Sequence, residues 1–506
     1  MRADSRPVRV AVVAVVAAAA LGPVWASPVL VTTDGPSHVY NALVADAVLS
    51  ERAPYARYLE FDSDWTRPDR TAQFLLMSLG RVVGFETAER VVFTLAVVAT
   101  LAGFLALLVR SHGGQGGAPL VALAPAAGWL AQTWFVWMGF YDFALSLALY
   151  AALLLVLERE PTPRNRLLAQ AVFAGLYLTH FLTFAVGAGL ALAVPAWRAL
   201  SRRGRWQDVA VAAPALVLLL LELGSGGTGT GALRAADAWL GGRGLVIGDF
   251  VVSVHALDAV AGVLIMAAVW FALARRLRAA QRGGGLACVS GAEVFGLLLL
   301  ILSVVGPEQV GEGGFVAIRL RCLGVITLLP AVTEALGTLR PRALAASAGV
   351  LFVTLAVHGA LIVRDARLVD HNLAQLESLF TTARVPEGAW LRTRFMVYRR
   401  GLYSIGGYYH IADRLALRHR YIVLDNYEAL YHIFSVGWRT RPDWVAFRQS
   451  IEGLTVRLVP GDVRWPDVLY VLHESDHPLQ PADPRIEIDP TLTAGQFALT
   501  PVRRRS

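Results

Sequence analysis

The feature that most constrains this chain is the recurrence of apolar runs long enough to cross a lipid bilayer. They fall near 8–30, 88–109, 118–134, 141–157, 167–179, 181–197, 208–224, 252–274, 286–305, 320–338 and 343–363. A bilayer core takes about 20 helical residues per crossing, so the pattern predicts about eleven spanning helices. Helix is the form expected, because backbone groups in lipid must find their hydrogen bonds within the segment. The first run follows Arg2 and Arg9 and continues to Val31. Its length favours a retained helix over a cleavable leader, although Trp25-Ala26-Ser27 offers small residues for cleavage. Of 506 residues, 56% are hydrophobic and 17% charged, which excludes an ordinary soluble enzyme.

Charge orders these runs. The formal net charge is +8 and the sequence contains no lysine. Arginines cluster at 110, 159–166, 198–205, 275–282 and 340–342, between apolar runs, as the positive-inside rule requires and as nucleic-acid binding does not. A cytoplasmic N-terminus puts every cluster inside. The nearly continuous segment 167–197 then has to cross twice, and Thr179-His180-Phe181 is the place for a break. This topology sends the loop 31–87, the link Phe135–Phe140, the Gly-rich segment 225–250 and the tail after Val363 to the outer face of a cell membrane. The expected organisation is a polytopic transmembrane domain, 1–363, containing the loop 31–87, and an extracytoplasmic α/β domain, 364–506. The tail carries β-like runs at Tyr421–Leu424, Val468–Leu472 and Phe497–Val502 and a helical stretch at Tyr403–Leu417. Cys288 and Cys322 fall at opposite ends of neighbouring spans, which rules out a disulfide between them. No internal repeat is visible.

The outer loop opens with Asp34-Gly35-Pro36-Ser37-His38. Asp34 is placed to cap the helix that Pro36 begins, but a carboxylate on a long loop at the membrane boundary is also suited to take a proton from a hydroxyl. His38, one turn on, fits a metal pair, an orienting partner or a plain i,i+4 contact. Asp62 and Asp64 have the spacing of a weak divalent-cation site, against a background of solvated loop charges. The aromatic turn Trp134–Phe143 reads as an interfacial belt, and Asp142 within it needs a partner or a watery cavity. His180 sits where irregular backbone has to be buried in protein or line a cavity. Arg319 and Arg321 break the positive-inside pattern and point to different sides of one helix. At most one of them faces a given cavity, where it either touches headgroup phosphate or clamps the phosphate of a lipid-linked substrate. His255 with Asp258, and Glu222, are further buried-pair candidates, and Glu293 has no role legible in the sequence.

The layout of a first helix, an outer loop opening with Asp-Gly-Pro-x-His, a Gly-Phe-Tyr-Asp-Phe turn, a His-Phe break, a late outer Arg and a soluble outer domain resembles the GT-C superfamily. Its members are integral-membrane glycosyltransferases that use polyprenyl-phosphate-linked sugars. The resemblance implies an all-α polytopic domain with a C-terminal soluble α/β domain. It implies Asp34 as the catalytic carboxylate, His38 as its partner or a cation ligand, and Arg319 on the leaving phosphate. Asp142 and His180 would line the cavity, while Tyr408, Tyr409 and His410 would help select the acceptor, a glycan, lipid or protein. The family often shows two adjacent acidic residues where this chain has Asp34-Gly35, so a divalent cation is possible but not required. Two other readings fit the same layout: a catalytically silent scaffold, and a transporter or flippase of lipid-linked precursors. The absence of paired repeats counts against transport.

Overall fold

The computed structural model describes residues 6–111, 117–224, 234–235, 238–251, 255–284, 288–310, 314–394, 410–424, 426, 428–430, 434–439, 455–456, 467–476, 478–481, 484 and 486–505. The chain divides into two compact units. The first comprises Met1–Ala26, Trp65–Ala72 and Val92–Ile362; the second comprises Ser27–Asp64, Gln73–Val91 and Val363–Ser506.

The first unit is a helical membrane region, and the protein is a multi-pass membrane protein. Each apolar run of the sequence contains a helix, from Arg6–Ala26 to Pro341–Ala383. Among the described residues, eight helices are long and apolar enough to cross a membrane. Three of the eleven expected spans fall short of that length: Tyr141–Leu157, Pro163–Thr179 and Gly291–Val305, of 17, 17 and 15 residues. At 1.5 Å per residue such helices reach about 25 Å, less than a hydrocarbon core of about 30 Å.

The break in 167–197 is real. Helices Pro163–Thr179 and Phe181–Leu200 meet at His180, whose backbone is extended (φ −160°, ψ 114°). The exposed ends are satisfied by the segment Asp69–Thr71. Arg70 N–H donates to Leu178 O (3.2 Å), Thr71 Oγ1 donates to Leu178 O (3.1 Å), and Asp69 Oδ1 accepts from Phe181 N–H (3.3 Å). Elsewhere small residues let helices close up. A Cβ on Gly324 would lie 3.1 Å from Gly296 O, and one on Gly296 would lie 2.8 Å from Leu328, so Gly291–Val305 and Val316–Leu336 pack in near-backbone contact. Both cysteines are free, and Cys322, expected near a membrane face, is buried.

The second unit is built on a mixed sheet. Strand Trp390–Arg394 pairs in parallel with Ile422–Val423 on one side and with Val468–Glu474 on the other. Phe497–Arg504 adds antiparallel to Val468–Glu474, and Ile486–Ile488 and Leu492–Ala494 pair with Phe497–Arg504. Helix Ile411–His419 lies in sequence between two of the parallel strands. All three β-like runs of the sequence are strands, and the expected helix is present from Ile411. Its first part, 403–409, lies outside the described residues. The early loop belongs to this same unit: strand Leu59–Phe61 pairs antiparallel with Val436–Trp438.

Candidate functional site

In the second unit, helix Gly35–Leu49 begins at Gly35 and Pro36, with Asp34 in the capping position. The Asp34 side chain makes no capping hydrogen bond. Its Oδ1 instead lies 3.4 Å from His410 Nε2, and the carboxylate keeps 13% of its surface exposed. His410 stands at the start of helix Ile411–His419, where its Nδ1 meets Asp413 Oδ2 at 2.9 Å. The result is an Asp34–His410–Asp413 relay whose outer carboxylate reaches solvent and whose other two members are buried. Burial alone would lower the imidazole's affinity for a proton. The hydrogen bonds and negative charges of Asp34 and Asp413 outweigh it and push the His410 pKa up from 6.5 to about 10. His410 is therefore an imidazolium at neutral pH.

Buried polar contacts fix this relay. Asn41 and Asn426 exchange side-chain hydrogen bonds at 3.0 and 2.8 Å. Tyr40 Oη donates to Tyr421 O and accepts from Val423 N–H, both at 3.1 Å. Arg414 donates to Leu30 O at 2.7 Å and lies 3.8 Å from Glu89, which accepts from Thr32. His38 turns its Nδ1 to Glu428 Oε1 at 2.8 Å, and the imidazole seen ion-paired with Asp34 is that of His410. Asp62 Oδ1 accepts from Asp64 N–H at 3.0 Å, forming a local turn. Among the described residues no group of three or more His, Cys, Asp or Glu side chains converges to hold a metal ion. Tyr408 and Tyr409 lie outside the described residues.

Membrane arginines 319 and 321 have separate environments. Arg321 is buried, its Nη1 engages the Asp249 carboxylate, and its Nη2 lies 3.4 Å from Ser303 O. Arg319 makes no close ion pair and no hydrogen bond among the described residues, its Nε is buried, and the Asp69 and Glu308 carboxylates act on it only at longer range. Its guanidinium stands over three rings: Phe140 at 5.2 Å, Phe143 at 5.4 Å and Phe135 at 6.0 Å. Three rings from the aromatic turn are thus the floor under a cation, beyond any role as an interfacial belt. The turn is made by Gly139 at φ 90°, a conformation that favours glycine, after the short helix Trp134–Met138.

Two expected cavity residues have structural duties. His180 Nδ1 accepts from Thr183 N–H at 3.3 Å, capping Phe181–Leu200, and its ring packs edge-on against Phe143 at 5.0 Å. Asp142 Oδ1 accepts from Ala72 N–H at 2.7 Å, satisfying an open donor at the start of helix Thr71–Val83. Asp258 pairs with His358 at 2.9 Å and also accepts from His255 N–H. Tyr177 donates to Glu222. Glu293 closes a capping box with Ser290 and an ion pair with Arg276 at 2.7 Å. Sequence reading missed Asp413, Glu428, Asn426, Asp69, Asp249 and His358. For Asp413 a signal existed: His-x-x-Asp at a helix start places both side chains on one face.

Helices that break at a histidine, a long early loop joined to a C-terminal sheet, and an arginine near the start of a late helix make up a multi-pass helical membrane architecture with a C-terminal mixed β-sheet region. Within that architecture the chain is similar in fold to ArnT from Cupriavidus metallidurans. The similarity covers 97% of both chains at a TM-score of 0.56 and 12% identity for the crystal structure bound to undecaprenyl phosphate, and 0.55 and 13% for the apo state. No protein-family model and no curated protein matches the chain.

Proposed function

We propose that the chain transfers a sugar from a polyprenyl-phosphate-linked donor to a cell-envelope acceptor on the outer face of the cytoplasmic membrane. The observation that carries this reading is Asp34: a solvent-reaching carboxylate at a helix start that is not spent on capping and is held by a buried imidazolium–carboxylate pair. The fold shared with an enzyme crystallised with undecaprenyl phosphate supports the donor class, and the sorting of arginine clusters supports the orientation.

The acceptor hydroxyl attacks the anomeric carbon as the bond from that carbon to the phosphate oxygen breaks, with inversion. The hydroxyl proton passes to Asp34, and the polyprenyl phosphate leaves with the bonding electron pair. His410, fixed by Asp413, orients the Asp34 carboxylate. His38, anchored on Glu428 at 2.8 Å, is a further candidate for acceptor binding. In the first unit, Arg319 is the residue proposed to bind a polyprenyl phosphate. Its position on three phenylalanines keeps the guanidinium in place while leaving its N–H groups available for phosphoryl oxygens. His180 and Asp142 hold the Phe143 helix and the Asp69–Ala72 segment around it.

Incubating the purified chain with a synthetic polyprenyl-phosphate sugar and envelope acceptor fractions tests the reading. Release of polyprenyl phosphate with labelled sugar on the acceptor is expected. An intact donor across all envelope fractions would refute it.

A further inference from the structure

Far along the chain from Arg319, the ends of helices Tyr141–Leu157 and Phe181–Leu200 and the start of Gly291–Val305 surround a cavity of about 180 Å³. Its lining is chemically mixed. Leu154, Leu157 and Val194 are buried and apolar, while Glu158, Arg198 and Arg203 bring one negative and two positive charges. The neutral polar groups there are already engaged. Trp197 Nε1 donates to Val289 O at 2.8 Å, Ser201 Oγ to Trp197 O at 2.7 Å, and Ser290 Oγ accepts from Glu293 N–H at 3.1 Å. The three charged side chains make no close ion pair or side-chain hydrogen bond among the described residues, and Glu158 feels Arg110 and Arg198 only at longer range. Asp208, a carboxylate near Arg198, is taken by Arg166 at 3.1 Å.

Two guanidiniums and one carboxylate beside an apolar floor call for a ligand with a phosphate, a primary ammonium a short arm away, and methylenes to cover the leucines. We propose that this cavity binds the phosphoethanolamine headgroup of a membrane phospholipid. The phosphate lies on Arg198 and Arg203, the ammonium on Glu158, and the start of the acyl region on Leu154, Leu157 and Val194. A phosphoglycerol headgroup brings a second negative charge beside Glu158 and no ammonium to offset it beyond the long-range influence of Arg110 and Arg198. A phosphocholine headgroup brings a cation without N–H donors. The site is independent of sugar transfer.

Native mass spectrometry of the full chain in detergent tests this with phosphatidylethanolamine, phosphatidylglycerol and phosphatidylcholine of identical acyl chains. The ethanolamine lipid should bind about tenfold more tightly than either, the worth of one charge-assisted hydrogen bond. Glu158→Gln should erase its advantage over phosphatidylglycerol. Arg203→Gln, at an exposed position, should weaken all three lipids while leaving folding intact. Soluble glycerophosphoethanolamine should compete only in large excess. Equal binding of the three lipids, an unchanged ranking in Glu158→Gln, or competition by the soluble headgroup at equal concentration would each overturn the assignment.

Discussion

Replacing His410 with glutamine should change how melting depends on pH. The folded imidazolium titrates near pH 10 and an ordinary histidine near 6.5. A group whose pKa is raised by folding stabilises the fold fully below its unfolded pKa, and the gain is lost as pH rises through the folded value. Each pH unit in that window carries ~1.4 kcal/mol, so the whole interval is worth on the order of 5 kcal/mol. Glutamine keeps a hydrogen-bonding amide between Asp34 and Asp413 but carries no titrating charge. Tryptophan-fluorescence melts of wild type and His410→Gln, in detergent from about pH 6 to 10, measure the difference and cancel every group common to both. The wild type should be more stable at the acid end and lose its margin progressively toward the alkaline end. A margin that is constant across the range would refute the imidazolium assignment.

Other substitutions separate working residues from structural ones. Arg319→Lys keeps the charge but loses the fork, so affinity for polyprenyl phosphate should fall by about tenfold with melting unchanged, as titration by native mass spectrometry will read. Arg321→Ala leaves Asp249 without its partner and should lower stability by about 3 kcal/mol, visible as reduced yield of folded protein in detergent. His180→Asn retains a cap and should stay within a few tenths of a kcal/mol of wild type, whereas His180→Ala should cost about 1 kcal/mol by thermal melting.

The apolar runs were legible because a bilayer imposes one length and one periodicity on everything that crosses it, and the arginine clusters fixed even the break at His180. The division between Arg319 and Arg321 was also legible, since two residues two apart on a helix face different surroundings. What the sequence concealed was pairing at a distance. Asn41 and Asn426 are 385 residues apart, and Asp34 meets His410 across a similar gap, so no local spacing announces either contact. Asp142 looked functional because a carboxylate in an apolar helix demands a partner. One such partner is the Ala72 N–H, a backbone group invisible to a search among side chains. The Asp34 capping role was the opposite case: local sequence predicted it well, and the tertiary pull of His410 overrode it.

The account rests most directly on Asp34, and one variant tests it. Asp34→Asn keeps the size of the side chain and removes its charge and its capacity to take a proton, and no capping bond is lost because none is made. Sugar transfer from a polyprenyl-phosphate donor should be measured with the Asn variant and wild type at matched folded amounts. The account predicts a loss of at least about a hundredfold, the usual contribution of a positioned base, with donor binding retained. Transfer at the wild-type rate would contradict it.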